Sequence, residues 1–182
     1  VNAAGLVTGV SAGTCNIIYT ITGGCGGTVS ALRAVTVSPN AGITSVSGTT
    51  PLCIGGTSTY AANGVVLSGG TGAWSSSNLA IATVSAAGLV TAVSAGTCNI
   101  IYTITGGCGG TVSAQQAVTI NPNASITSVT GTSPLCISGT ATYAANGVVL
   151  SGGTGAWSSS NAAVATVNAA GLVTGVSAGT CN

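Results

Sequence analysis

The chain has 182 residues, nearly half of them apolar, and a single formal charge, Arg33, where an ordinary soluble domain is about one quarter charged. Without Asp, Glu, Lys or His it lacks the groups for general acid–base catalysis, for carboxylate-held calcium and for phosphate binding, so neither an enzyme, a cofactor site nor a nucleic-acid-binding protein is expected. The many Val and Ile argue against disorder, and a net charge near zero removes the repulsion that keeps copies apart, so self-association is expected over a soluble stalk hydrated by its hydroxyls.

From its first residues the chain is a repeat. Cys15, Cys98 and Cys181 stand 83 residues apart, as do Cys25 and Cys108, Cys53 and Cys136, Tyr60 and Tyr143, and Trp74 and Trp157. A fixed period of this size outranks any local motif. It divides the chain into residues 1–37, the C-terminal part of one repeat, a complete repeat over 38–120, and the N-terminal part of another over 121–182. No Met opens the chain, and no basic, apolar leader or apolar run of about 18 residues is present, so no membrane span is expected. Both ends fall in mid-repeat. Two explanations fit: a window on a longer repetitive protein, or completion of one chain by strands of the next. Val1–Asn16 duplicates Val167–Asn182, which favours the window.

Within the complete repeat, Ser38-Pro39-Asn40-Ala41-Gly42 is a short stiff joint, repeated at Asn121-Pro122-Asn123-Ala124-Ser125. Ile43–Ser47 reads as a first strand, Thr49–Gly56 as a bend carrying Cys53, and Thr57–Ala62 as a second strand before the Asn63-Gly64 turn. Val65–Leu67 and the flexible SGGTG stretch lead to a third strand with Trp74. Ile81–Val84 and Leu89–Val93 form the fourth and fifth. The sixth, Cys98–Thr105, alternates most clearly, with Cys98, Ile100, Tyr102 and Ile104 on one face. Gly106–Gly110 (GGCGG) turns the chain into the last strand, Thr111–Ile120. The glycine-rich stretches lack a following helix and a Lys, so they read as turns rather than phosphate loops.

Seven short strands with one Trp on the third predict an all-β fold of tandem immunoglobulin-like β-sandwiches of about 83 residues, end to end. Trp74, Trp157 and Tyr102 are the expected core anchors. The run W-S-S-S-N, A-T-V, A-A-G-L-V-T, V-S-A-G-T and I-x-Y-T-I resembles the bacterial immunoglobulin-like domains of group 2 over the whole repeat. That resemblance implies modules strung along a large bacterial surface protein, extracellular or at the cell surface. It implies no ligand.

Cysteine is the one chemically pointed feature. No C-x2-C pair and no His accompany the seven cysteines, so oxidised cystines are expected rather than a metal site. Cys98 and Cys108 sit at opposite ends of one strand, too far apart for the roughly 4.4–6.8 Å that a disulfide spans. In an immunoglobulin topology the second and sixth strands start at the same end, which predicts Cys53–Cys98 and Cys136–Cys181, each stabilising the fold by about 2–4 kcal/mol. The simpler alternative is that Cys98 is a small buried hydrophobe. Cys25 and Cys108, at hairpin tips, are left unpaired or for bonds between repeats or chains. A Cys53-type residue one repeat upstream is the rival partner, and repeats that resemble this one often carry cysteines at both positions. The sequon Asn123-Ala124-Ser125 lies in a joint.

The expected role is a disulfide-stabilised, self-associating repeat of an extracellular filament or a long adhesin shaft. The alternative is a surface module whose Thr- and Ser-rich face or SGGTGAW loop binds glycan or another surface.

Overall fold

The computed structural model describes all residues 1–182, and every regular element is a strand. The chain opens with β1 (Gly13–Gly24) and β2 (Gly27–Val37), which pair only with each other as a long hairpin. Then come β3 (Ser45–Ser47), β4 (Leu52–Cys53), β5 (Thr57–Thr59), β6 (Ala61–Asn63), β7 (Thr71–Ser76), β8 (Ala82–Val84), β9 (Leu89–Ala92), β10 (Gly96–Thr105) and β11 (Val112–Asn121). The chain closes with β12 (Ser128–Thr130), β13 (Thr140–Thr142), β14 (Ala144–Asn146), β15 (Ala165–Val167) and β16 (Leu172–Gly175).

Residues 38–121 form a two-layer sandwich. One layer runs β4-β11-β10-β7, with β10 at the centre of an antiparallel set and β4 joining β11 in parallel. The other is made of β3-β6 and β5-β9-β8. These two sheets are one layer because β5 and β6 are halves of a single extended stretch, broken at Tyr60. The second strand expected over Thr57–Ala62 is therefore split. Tyr60 points inward and is buried, its N–H donates to the Gly88 carbonyl (2.8 Å), and the chain passes from one pairing partner to the other there.

The period of two explains which residues meet. Ile100 and Ile104 from β10, Val118 and Ile120 from β11, and Val90 from β9 are fully buried. All of these but Ile104 form one cluster with Val46, Leu52, Tyr60, Ala82, Ala92 and Cys98, against which Trp74 and Tyr102 pack partly buried. The core is small-residue and aliphatic, as a chain without Phe or Met requires.

Residues 121–182 repeat only one of these layers. The β12-β14 and β13-β16-β15 sheets copy β3-β6 and β5-β9-β8 in order and register. Thr154–Ser159, the counterpart of β7, is not a strand, because its hydrogen-bonding partner in the complete block is β10.

Candidate functional site

Each of the seven cysteines is a free thiol. The expected Cys53–Cys98 bond is not formed, and sheet register is the reason. Cys53 lies on β4 opposite Asn121, while Cys98 lies on β10 opposite Val118. Strand β11 stands between them. Two strand spacings sideways and three residues along put their Cα atoms on the order of 14 Å apart, well outside disulfide range. Both strands do begin near one end of the sandwich, but Cys53 belongs to β4, which pairs outside β11, rather than to the strand facing β10. Cys98 instead behaves as a small buried apolar group, accepting a weak contact from the Ser76 hydroxyl at 3.7 Å. Cys136 and Cys181, expected to pair in the same way, are also free, the first exposed and the second half-buried.

The hairpin-tip cysteines mark one end of the block. The Cys108 carbonyl accepts from the Ala41 N–H (2.6 Å), and its own N–H donates to the Ser68 carbonyl (3.3 Å). A side chain at Gly109, where φ is +87°, would also press on Asn40. The GGCGG tip therefore sits on the joint by which the chain enters, whereas Cys53 lies beside Asn121, where the chain leaves. Cys25, at the tip of the free β1–β2 hairpin, is exposed.

The joint itself has a built geometry. The Ser68 hydroxyl donates to the Pro39 carbonyl, and Gly42 exchanges two backbone hydrogen bonds with Val66 (2.9 and 2.8 Å). The same pattern recurs after Asn121, with Ser151 donating to Pro122 and Ser125 exchanging bonds with Val149 (3.0 and 2.8 Å). Ser68 and Ser151 both take a positive φ of 49° to do so.

Of the aromatic anchors, Trp74 and Tyr102 are opposite one another on β7 and β10 and pack edge to face, with ring centroids 4.9 Å apart and planes at 70°. Trp157 has no such partner. It lines an open groove of about 800 Å³ on the 121–182 block, together with Val129, Leu135, Tyr143, Val173 and Cys181.

Sequence reasoning did not single out Tyr60 and Tyr143. The Tyr60 hydroxyl donates to the Thr49 carbonyl (2.9 Å), and the Tyr143 hydroxyl to that of Thr132 (2.9 Å), tying the bend before β4 and its copy to the body. Burial, and less strongly the nearby Cys98, pushes the Tyr60 phenol above its ordinary value. The signal was present: Gly48 and Gly131 each precede a tyrosine by 12 residues, and a Cβ at either would overlap that ring.

No cluster of His, Cys, Asp and Glu with metal-binding geometry is formed, and no helix is long and apolar enough to cross a membrane.

A family model described as bacterial Ig-like domain (group 2) matches residues 31–113 and again residues 114–182. Among solved structures, domains 1–6 of surface layer protein SbsC are similar at 15% identity, covering 99% of this chain and 34% of that one, with a TM-score of 0.41. Domains 4 and 5 of S-layer protein SbsC are similar at 16% identity over 76% of this chain and 90% of that one, with a TM-score of 0.40. The chain thus spans about a third of the length of the first of these. No curated protein matches the sequence.

Proposed function

We infer the role of this chain from its membership of the bacterial immunoglobulin-like domain family, group 2, to which it belongs over two tandem matches. We propose that it is a structural repeat of a bacterial cell-surface or extracellular assembly, a shaft or filament built of near-identical modules and cohering with copies of itself. The repeating unit is residues 38–120, flanked by parts of two others.

The observation that carries this reading is the repeated joint. Ser68 on Pro39 and Ser151 on Pro122 are the same contact, as are the Gly42–Val66 and Ser125–Val149 bridges. Those contacts give the chain the same entry into each module that follows, which is what a regular shaft needs and a catalytic domain does not. The uncharged surface adds cohesion. In an oxidising compartment, a cystine between a hairpin-tip cysteine such as Cys108 and the Cys53-type residue of the preceding module would lock that joint.

Electron microscopy and light scattering of the purified chain test the proposal. Ordered fibres or sheets are the expected result. A stable monomer that binds glycan or a surface would replace it with the binding-module reading.

A further inference from the structure

We propose that β7 of the 38–120 block pairs edge to edge, antiparallel, with β7 of a second copy, joining two four-stranded layers into one continuous sheet. The proposal rests on the self-associating reading above and names the surface through which copies cohere side to side.

Among the strands that border a sheet in this block, β7 is the one long enough to template another. It runs for six residues, Thr71–Ser76, against two for β4 and three each for β3, β5, β6 and β8. Strand β10 holds it on one side, and no strand lies on the other.

The sheet register tells which backbone groups are left over. Ser77, one residue past β7, donates its N–H to the Asn99 carbonyl (2.9 Å), and the Asn99 N–H donates to the Ser77 hydroxyl (2.8 Å). These two residues stand opposite one another in the register that pairs Ser76 with Ile100. The main-chain groups of Ser77 therefore face β10, and by the alternation of an antiparallel ladder so do those of Ser75, Ala73 and Thr71. Gly72, Trp74 and Ser76 turn their N–H and C=O groups the other way, to the open edge, where no hydrogen bond meets them.

Natural sheet edges are guarded by charge, by Pro or by a bulge. The stretch TGAWSS holds no charged residue and no Pro, and its register with β10 is unbroken. Thr71, Ala73 and Ser75, on the outer face, are small and exposed, so nothing holds a neighbouring strand off.

The same features set the occupant. This edge offers no counter-charge to a charged strand, and burying an unpaired charge against it is costly. It fits an uncharged strand, and β7 is complementary to itself. About a two-fold axis at Trp74, Gly72 meets Ser76 of the copy, Trp74 meets Trp74, and Ser76 meets Gly72, each pair exchanging two hydrogen bonds. On the outer face Ala73 then lies opposite Ser75. On the inner face the two indoles meet, extending across the seam the aromatic row that Tyr102 and Trp74 begin. Because β7 runs alongside β10, between the end where the GGCGG tip sits on the entering chain and the end where Asn121 leaves, pairing there keeps both joints free. The contact is isologous and closes on a pair, so it sets shafts side by side.

The test mixes two variants of the full 182-residue chain, Ala73→Cys and Ser75→Cys, oxidises the mixture with glutathione disulfide, and maps the links by mass spectrometry. The parent chain is the control for the native cysteines, and circular dichroism checks that both variants, changed at exposed positions, fold as the parent does. Pairing predicts that position 73 of one chain joins position 75 of the other in large excess over 73–73 and 75–75 links, which the register holds on diagonals about 7–8 Å apart. In the parent chain it predicts that amide exchange slows on association at Gly72, Trp74 and Ser76, but not at Ala73 and Ser75, which are already bonded to β10. Association without the 73–75 link, or without the slowing at Trp74, overturns the proposal and leaves self-association standing. A chain that stays monomeric ends both.

Discussion

Val46 and Val129 occupy the same place in nearly the same stretch of sequence, yet one is 7% exposed and the other 52%. The 38–120 and 121–182 blocks differ in whether a hairpin of the β10–β11 type lies over them. Without it, the layer of β12 to β16 still forms, with the register of its complete counterpart. Strand pairing is thus local to a layer, whereas the core belongs to both layers. A third copy makes the point from the other side: β1–β2 keeps its hairpin register with no layer beneath it. What the half-blocks lack is burial, the dominant favourable contribution to folding.

Truncating the hairpin's inward face should show this contrast most strongly. Ile100→Ala or Ile104→Ala opens a cavity in a closed core and is expected to cost about 2–5 kcal/mol. Under conditions that keep the chain monomeric, Ile21→Ala should fall within about 0.5 kcal/mol, as surface changes do. Urea unfolding followed by Trp74 fluorescence, in a Trp157→Phe background, measures the first, and amide hydrogen exchange across β1–β2 measures the second. Equal costs at Ile104 and Ile21 would show that β1–β2 is already covered.

Next in size are the glycines that face tyrosine rings. Gly48→Ala forces its new methyl into Tyr60, which is buried and anchored at its hydroxyl, and overpacking of this kind costs about 1–3 kcal/mol. Gly131→Ala meets Tyr143 in the same way, but that ring borders an open groove and can swing, so the cost there should be smaller. Tyr60→Phe removes the bond to the Thr49 carbonyl and is expected to cost about 1 kcal/mol, against less for Tyr143→Phe on the exposed copy. Urea unfolding followed by Trp74 reads the two changes in the 38–120 block, and the same measurement followed by Trp157 in a Trp74→Phe background reads the other two.

Alkaline titration sharpens the contrast further. The Tyr60 phenol is held above its ordinary value of 10.0 by burial and then by Cys98. The unfolded chain therefore releases this proton first as pH rises. The contribution is complete below pH 10 and is lost as pH climbs through the folded value. Stability of the 38–120 block should fall in that alkaline window, and the fall should vanish in Tyr60→Phe. The smallest effect is one of rate. Cys15, Cys181 and Cys98 are the same residue in three settings, exposed, half-buried and buried, and alkylation of monomeric chain should proceed in that order, as mass spectrometry of the modified peptides would show.

Much of this was legible without coordinates. The alternation Cys98, Ile100, Tyr102, Ile104 named the inward face of β10, and the Asn63-Gly64 and GGCGG turns placed two bends. Burial of Cys98 follows from that face, whereas the contact of Trp74 with Tyr102 needed β7 to lie beside β10. The cystine between Cys53 and Cys98 failed for a reason no alternation can reveal. Period two tells which way a side chain points, but not which strand lies beside it, and β4 chose the outer edge of β11. Tyr60 escaped notice because its role lies in a break between two strands, where pairing changes and periodicity carries no signal.

The repeat length, the strand pattern and the aliphatic faces are written in the residues themselves, because each depends only on neighbours along the chain. The surroundings of each cysteine and the tyrosines that tie bend to body were decided in three dimensions. They depend on which strands lie side by side, and a sheet can place the same strand beside different neighbours without changing a single residue.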